Sequence, residues 1–266
     1  MKISHITRYS IGTIGIIILL YYLYINIYDY YSFIEEKTIC YEQKKESDDT
    51  LRIIMIGDSW AAYHNGYDCL LSNEIEKRLT KPVKVVSSGM VGAKTKTIYK
   101  LMFNSISDFG TKELIEQRPN YCIISAGIND AVAKMGGKYY SYHYVLMLKQ
   151  LIANGIKPII IDMPDVGYES VYKQESLLAK TRHRISSIIN QVDMWSFSEY
   201  RQALKTQINE HEFNDSIIYI PASSWNSKGV HEIPVIYQED QIHLNSRGYQ
   251  LLDSCIANCI FSNSNN

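Results

Sequence analysis

Five short apolar runs, each followed by a stretch with helical spacing, constrain this chain more than any other feature. They are LRIIMI (51–56), VKVVSS (83–88), YCIISA (121–126), KPIIID (157–162) and SIIYI (216–220). Runs this short and rich in β-branched residues suit strands buried on both faces. Helical patterns fill the intervals at 67–79, 97–106, 111–117, 139–154, 169–191 and 198–210, with a last one at 245–259; the fourth is stopped by Gly155. Strands alternating with helices predict a parallel sheet covered on both sides. The expected fold is therefore a three-layer α/β/α domain over 51–262 with a five-stranded, flavodoxin-like parallel sheet. Residues 221–240 carry Gly, Pro and Ser without a period and read as loop.

The 266 residues, 46% of them hydrophobic, suffice for one sizeable core. Lys plus Arg number 27 against 28 Asp plus Glu, so the basic footprint of a nucleic-acid binder is missing and no nucleic-acid partner is expected. The five cysteines (Cys40, Cys69, Cys122, Cys255 and Cys259) are odd in number and lack the tight spacing of a disulfide framework. Cys255 and Cys259 share a helix face without His or acidic neighbours at ligand spacing. They read as small buried hydrophobes, not as a zinc site.

The N-terminus departs from this pattern. No charge interrupts residues 9–27, and Tyr21, Tyr22, Tyr24, Tyr28, Tyr30 and Tyr31 crowd the far end. A run of about 19 such residues reaches across a bilayer core of ~30 Å, and tyrosines suit its interface. Bulky IYDYYSF follows, in place of the small residues of a cleavage site, so an uncleaved transmembrane anchor over 1–32 is expected. A polar linker follows at 33–50. Lys2 and Arg8 precede the span, and Lys37, Lys44 and Lys45 come after it among Glu35, Glu36, Glu42 and Glu46. The nearest flanking charges place the N-terminus in the cytoplasm and the domain on the extracytoplasmic side.

In open parallel sheets, sites form beyond the C-terminal strand ends. The first strand delivers Gly57-Asp58-Ser59 to a strand-to-helix turn, and the third delivers Gly127-Ile128-Asn129-Asp130. Asp240 and His243 lie just before the last helix, at a spacing that lets the carboxylate fix the imidazole. Each fragment alone is ordinary: a serine at such a turn is commonly a helix cap. Together they supply a nucleophile, a base, a residue to orient the base and an amide donor, which is the set for acyl transfer. Asp58 and Asp130 are read as structural, bonding loop backbone. His64 is a candidate for the pocket wall, while His143, His183, His211 and His231 lack a supporting pattern. Trp195 and Trp225 are read as packing residues, with stacking on a sugar as the alternative.

These blocks resemble those of the SGNH (GDSL-like) hydrolases. Gly57-Asp58-Ser59 matches the first, with Trp60 where leucine is common. The loop V-V-S-S-G-M-V-G-A-K-T matches the second, with Gly92 in the glycine position, Gly89 as the fallback, and Ser87 where the family often has Asn. Gly127 to Asp130 match the third in full, and Asp240 and His243, followed by L-N-S-R-G-Y, match the last. The resemblance covers 51–259 and implies the SGNH hydrolase fold. It also implies that Ser59 attacks an ester carbonyl, that His243 transfers the proton and that Asp240 orients His243. The amides of Ser59 and Gly92 and the side chain of Asn129 would bind the oxyanion, such donors being worth ~3–4 kcal/mol each. Neither metal nor organic cofactor is implied. The expected activity is hydrolysis of O-acyl esters through an acyl-Ser59 intermediate. O-acetyl groups on a carbohydrate or cell-envelope glycan are the favoured substrate. Alternatives are a glycan O-acyltransferase or a lysophospholipase or lipase with the same triad, and a non-catalytic glycan-binding module.

Overall fold

A computed structural model describes residues 5–41 and 49–264, so Lys2, Glu42, Lys44, Lys45 and Glu46 of the flanking-charge argument lie outside the described residues. The chain divides into two units, Met1–Ile34 and Glu35–Asn266. The first holds helix α1 (His5–Tyr31), whose Thr13–Tyr31 stretch is long and apolar enough to cross a membrane.

The second unit carries strands β1 (Leu51–Gly57), β2 (Val83–Gly89), β3 (Tyr121–Ser125), β4 (Lys157–Ile161) and β5 (Ile218–Ile220). Helices α2 (Ser59–His64) and α3 (Asp68–Leu79) lie between β1 and β2, and α4 (Thr95–Leu101) and α5 (Lys112–Glu116) between β2 and β3. Next come α6 (Ile128–Val132), α7 (Gly137–Ala153), α8 (Tyr168–Gln174), α9 (Leu177–Asn190) and α10 (Ser198–Glu210), then α11 (Ile233–Ile236) and α12 (Ser246–Ser264). All five strands run parallel in the order β2-β1-β3-β4-β5. The chain runs outward from β1 to β2, then returns to place β3 on the other side of β1. That reversal opens a crevice beyond the ends of β1 and β3. Helices α3 and α12 pack together, as do α7, α4 and α10, giving the two covering layers.

The strands are apolar because both faces are covered: Ile53, Met55, Ile56, Ile123, Ile124, Ile159 and Ile160 are all buried. Each such side chain contributes roughly 1.5–3 kcal/mol of burial. Gly57 closes β1 opposite Ser125, and a Cβ there would lie 1.9 Å from the Ser125 carbonyl oxygen. Only glycine lets β1 and β3 approach so closely where the chain turns toward Ser59.

Four features differ from the sequence reading. The helix expected over 169–191 is broken at Glu175, because the Ser176 side chain accepts the Ala179 amide (3.3 Å) and starts α9 afresh. The helix expected from 97 begins at Thr95, whose amide and hydroxyl both bond Asp130, a residue that helical periodicity ignores. The 221–240 loop contains the short helix α11. Cys255 and Cys259 are half-buried, not buried, and Cys122 alone of the five cysteines is fully buried.

Part of the stretch read as linker is held against the body. The Tyr99 hydroxyl accepts from the Lys37 amide (2.7 Å) and donates to its carbonyl (2.6 Å). The Gln150 side chain brackets Ile39 the same way, at 2.8 and 2.9 Å, and Asn154 accepts from the Tyr41 amide at 2.9 Å. Side-chain amides at the C-terminal end of α7 and just beyond it thus replace the neighbouring strand that residues 37–41 lack.

Candidate active site

Ser59 opens α2 immediately after β1, and the turn is set by Asp58. The Asp58 amide donates to the Ser125 carbonyl (3.0 Å), and its carboxylate accepts from the Trp60 amide (3.0 Å), capping α2. The hydroxyl of Ser59 is thereby fixed at the crevice, at 5% exposure.

His243 arrives from the loop before α12. Asp240 shapes that loop by accepting the amides of Ile242 and His243, both at 2.9 Å. Asn245 fastens it further: its side chain donates to the carbonyls of Val235 (2.9 Å) and Tyr237 (3.0 Å), while its oxygen caps α12 through Gly248 (3.0 Å). With the loop held, Nδ1 of His243 lies 2.5 Å from Asp240 and Nε2 lies 2.9 Å from Ser59 Oγ. The three residues form a continuous relay. Burial alone would raise the Asp240 carboxyl, but hydrogen bonds from the His243 side chain and from the loop amides outweigh it and hold it below the usual range. Asp240 is therefore an anion facing the imidazole, which favours the Nδ1–H tautomer and leaves Nε2 free to accept from Ser59.

Asn129, at the start of α6 beyond β3, donates to the Ala93 carbonyl (3.1 Å) and to Asp58 (3.3 Å). It therefore lies between the Ser59 turn and the 90–93 turn. Gly92 sits in that exposed turn at φ +76°, closed by the Ala93 amide on the Met90 carbonyl (3.0 Å). Gly89 is different: a Cβ on it would meet the Asp58 carbonyl oxygen at 2.3 Å, so it serves close packing beneath α2.

Asp58 and Asp130 are fully buried beside one another. Burial pushes Asp58 up to about 7, against its bonds from Trp60 and Asn129, and pushes Asp130 up to about 6, against its bonds from Thr95. Both hold backbone, as their places in the turns require.

His64 lies away from the crevice. It is fully buried at the end of α2, with Nδ1 2.9 Å from both Asp68 and Ser87 and Nε2 2.8 Å from Asp253. Burial works against its charge, but the bonds to Asp253 and Asp68 prevail and raise it to about 9. Ser87 also donates its hydroxyl and amide to Asp68 (2.5 and 2.8 Å), so the position where an Asn was expected serves this cluster. His143 is buried on α7 and kept neutral, pushed down to about 4 by burial. His183 pairs with Glu175 (3.4 Å) and His211 stacks on Phe213. Trp225 is buried edge-on against Trp60, while Trp195 is half-exposed against Tyr172.

Sequence reasoning missed three neighbours of the relay. Trp60 Nε1 donates to the Ile242 carbonyl (3.1 Å), tying α2 to the loop that carries His243. Tyr249 donates to the Trp60 carbonyl (3.0 Å), and Tyr63 lies edge-on to the His243 ring, 5.0 Å between centroids. Only the leucine-to-tryptophan departure at position 60 marked any of them. Among the described residues, no group of His, Cys, Asp and Glu could hold a metal ion.

No family model matches the sequence, and no curated protein matches it. Solved structures do. A psychrotrophic esterase from Pseudoalteromonas, inhibited by monoethylphosphonate, aligns over 81% of this chain and 100% of its own, at 15% identity and TM-score 0.55. A GDSL-like lipase from Bacteroides thetaiotaomicron aligns over 80% and 89%, at 18% identity and TM-score 0.50. An acetyl-xylooligosaccharide esterase from Geobacillus aligns over 79% and 93%, at 14% identity and TM-score 0.51. This is the SGNH hydrolase fold. In the SGNH fold described here, Ser59 and Asn129 stand at the ends of the adjacent strands β1 and β3, and His243 reaches them from the loop before the last helix.

Proposed function

We propose that the protein is a serine esterase. The relay Asp240–His243–Ser59, at 2.5 and 2.9 Å, is the observation that carries this reading. His243 Nε2 takes the Ser59 proton as Oγ attacks an ester carbonyl, and the imidazolium then protonates the departing alcohol. Water, deprotonated by the same nitrogen, releases the acid from acyl-Ser59. Charge on the tetrahedral oxygen is met by the amides of Ser59 and Gly92 and by Asn129 Nδ2. An arriving oxyanion replaces the longer of the two Asn129 contacts, the one to Asp58.

The acyl group is small in this reading, and the alcohol is a glycan hydroxyl. Asp240 borders an open groove of about 600 Å³ with Ser170, Val171, Gln174 and Gln241, a surface beside the relay that suits a glycan as the alcohol. The acetyl-xylooligosaccharide esterase among the structural neighbours supports the same class. Helix α1 is the membrane anchor, residues 51–262 are the catalytic domain, and that domain faces the extracytoplasmic side.

Hydrolysis of p-nitrophenyl acetate, compared with longer acyl esters, tests the proposal. Acetate is turned over best, and Ser59→Ala abolishes turnover. Hydrolysis that survives in Ser59→Ala refutes the mechanism. A preference for long acyl chains refutes the substrate class alone.

A further inference from the structure

Helix α9 is amphipathic the wrong way round for a helix packed on a protein. At 100° per residue, Leu177, Leu178, Ile185, Ile188 and Ile189 fall within one 120° stripe. That stripe faces outward, its five side chains being 52–81% exposed. The opposite side, turned to the body, carries the buried Ser186 and the half-buried Ala179, His183 and Asn190. Soluble proteins seldom leave so many large aliphatic side chains together in water.

The borders of the stripe are cationic. Lys180 and Arg184 lie along one edge and Arg182 along the other, and the helix sequence LLAKTRHRISSIIN holds no acid. Glu175, just before it, is turned inward onto His183 (3.4 Å). An apolar stripe flanked by Lys and Arg is the pattern of a helix lying in a lipid interface, aliphatic side chains among the acyl chains and cations at the headgroups. Self-pairing fits poorly: two α9 faces would bring three cations from each copy together without a carboxylate on either helix.

We propose that α9 is an interfacial helix that docks on an anionic lipid surface. Its place gives the docking a use. Helix α8 precedes it directly, and the Gly167 amide donates to the Gln241 carbonyl (2.9 Å), joining this hairpin to the loop that carries Asp240. Lipid bound at α9 therefore sets how the rim of the Ser59 site is presented to a surface. The inference is compatible with α1 as an anchor but does not require it.

The full chain tests this in vesicles of brominated phosphatidylcholine with phosphatidylglycerol, in a Trp195→Phe background. The remaining tryptophans, Trp60 and Trp225, are buried. Tryptophan introduced by Ile188→Trp reads α9, and Leu70→Trp, on α3, serves as the control. Severalfold stronger quenching at 188 than at 70, weakened when the anionic lipid is omitted, is the expected result. Equal quenching at both positions, or none at 188, overturns the proposal. So does a blue shift at 188 that grows with protein concentration without lipid, which would make a second copy the occupant. A high-salt wash separates the two membrane readings: release of a chain that had been quenched at 188 removes the spanning role of α1 and leaves α9 standing.

Discussion

The buried His64 cluster makes a quantitative prediction about pH. In the fold His64 titrates near 9, against 6.5 for a free side chain, because Asp253 and Asp68 outweigh the burial that opposes its charge. That difference, at 1.36 kcal/mol for each factor of ten in proton affinity, corresponds to roughly 3 kcal/mol. The sign follows from linkage. The folded state holds the proton more tightly, so the contribution is fully present below about pH 6.5 and is lost as pH rises through 9. Lys134 works the other way: burial lowers it to about 8, which adds stability as pH climbs beyond that value. The difference between two proteins is therefore the right readout. Urea unfolding of the wild type and of His64→Gln, repeated from pH 6 to 9.5, cancels Lys134 and the remaining groups. The wild-type advantage should shrink by ~3 kcal/mol across that range. Asp253→Asn, which leaves the imidazole one carboxylate, should shrink the slope without abolishing it. Parallel curves for the wild type and His64→Gln would refute the ion cluster.

Four further outcomes follow from the geometry. Asp240→Asn should lower kcat on p-nitrophenyl acetate on the order of 10³–10⁴-fold with the melting temperature little changed, since in the proposed mechanism the residue orients the base and it lies near the surface. Trp60→Leu removes both a buried ring and the bond to Ile242, and should cost about 2–4 kcal/mol in urea unfolding. Trp60→Phe should recover most of that packing but not the kcat that depends on the bond. Gly57→Ala, with its Cβ driven into the Ser125 carbonyl, should cost more than ~2 kcal/mol and reduce soluble yield.

The strands were legible in the sequence because burial on both faces leaves an uninterrupted apolar run. The relay was legible because each residue follows a strand end or precedes the last helix. What escaped was set by contacts between distant segments. His64 and Asp68 stand four apart, a spacing that was available, but Asp253, 189 residues away, turns the pair into a cluster and was not. The strap at 37–41 sits in a charged stretch whose composition reads as linker, and the amides that hold it come from the end of α7 and just beyond it. The break at Glu175 escaped because hydrophobic spacing continues across it while Ser176 restarts the helix. Helix α9 was visible as a helix, but its period says nothing about which side faces the body.

The bond between Ser59 and His243 spans 184 residues of chain. Trp60 to Ile242, Tyr249 to Trp60 and His64 to Asp253 close nearly the same span. A ribosome adding about 5–20 residues per second needs roughly 10–40 s to pass from Ser59 to His243. Throughout that interval the emerging chain carries Ser59 without the imidazole that it bonds in the fold. In the proposed mechanism, therefore, a chain that stops before His243 is silent on esters, however well its first strands have formed.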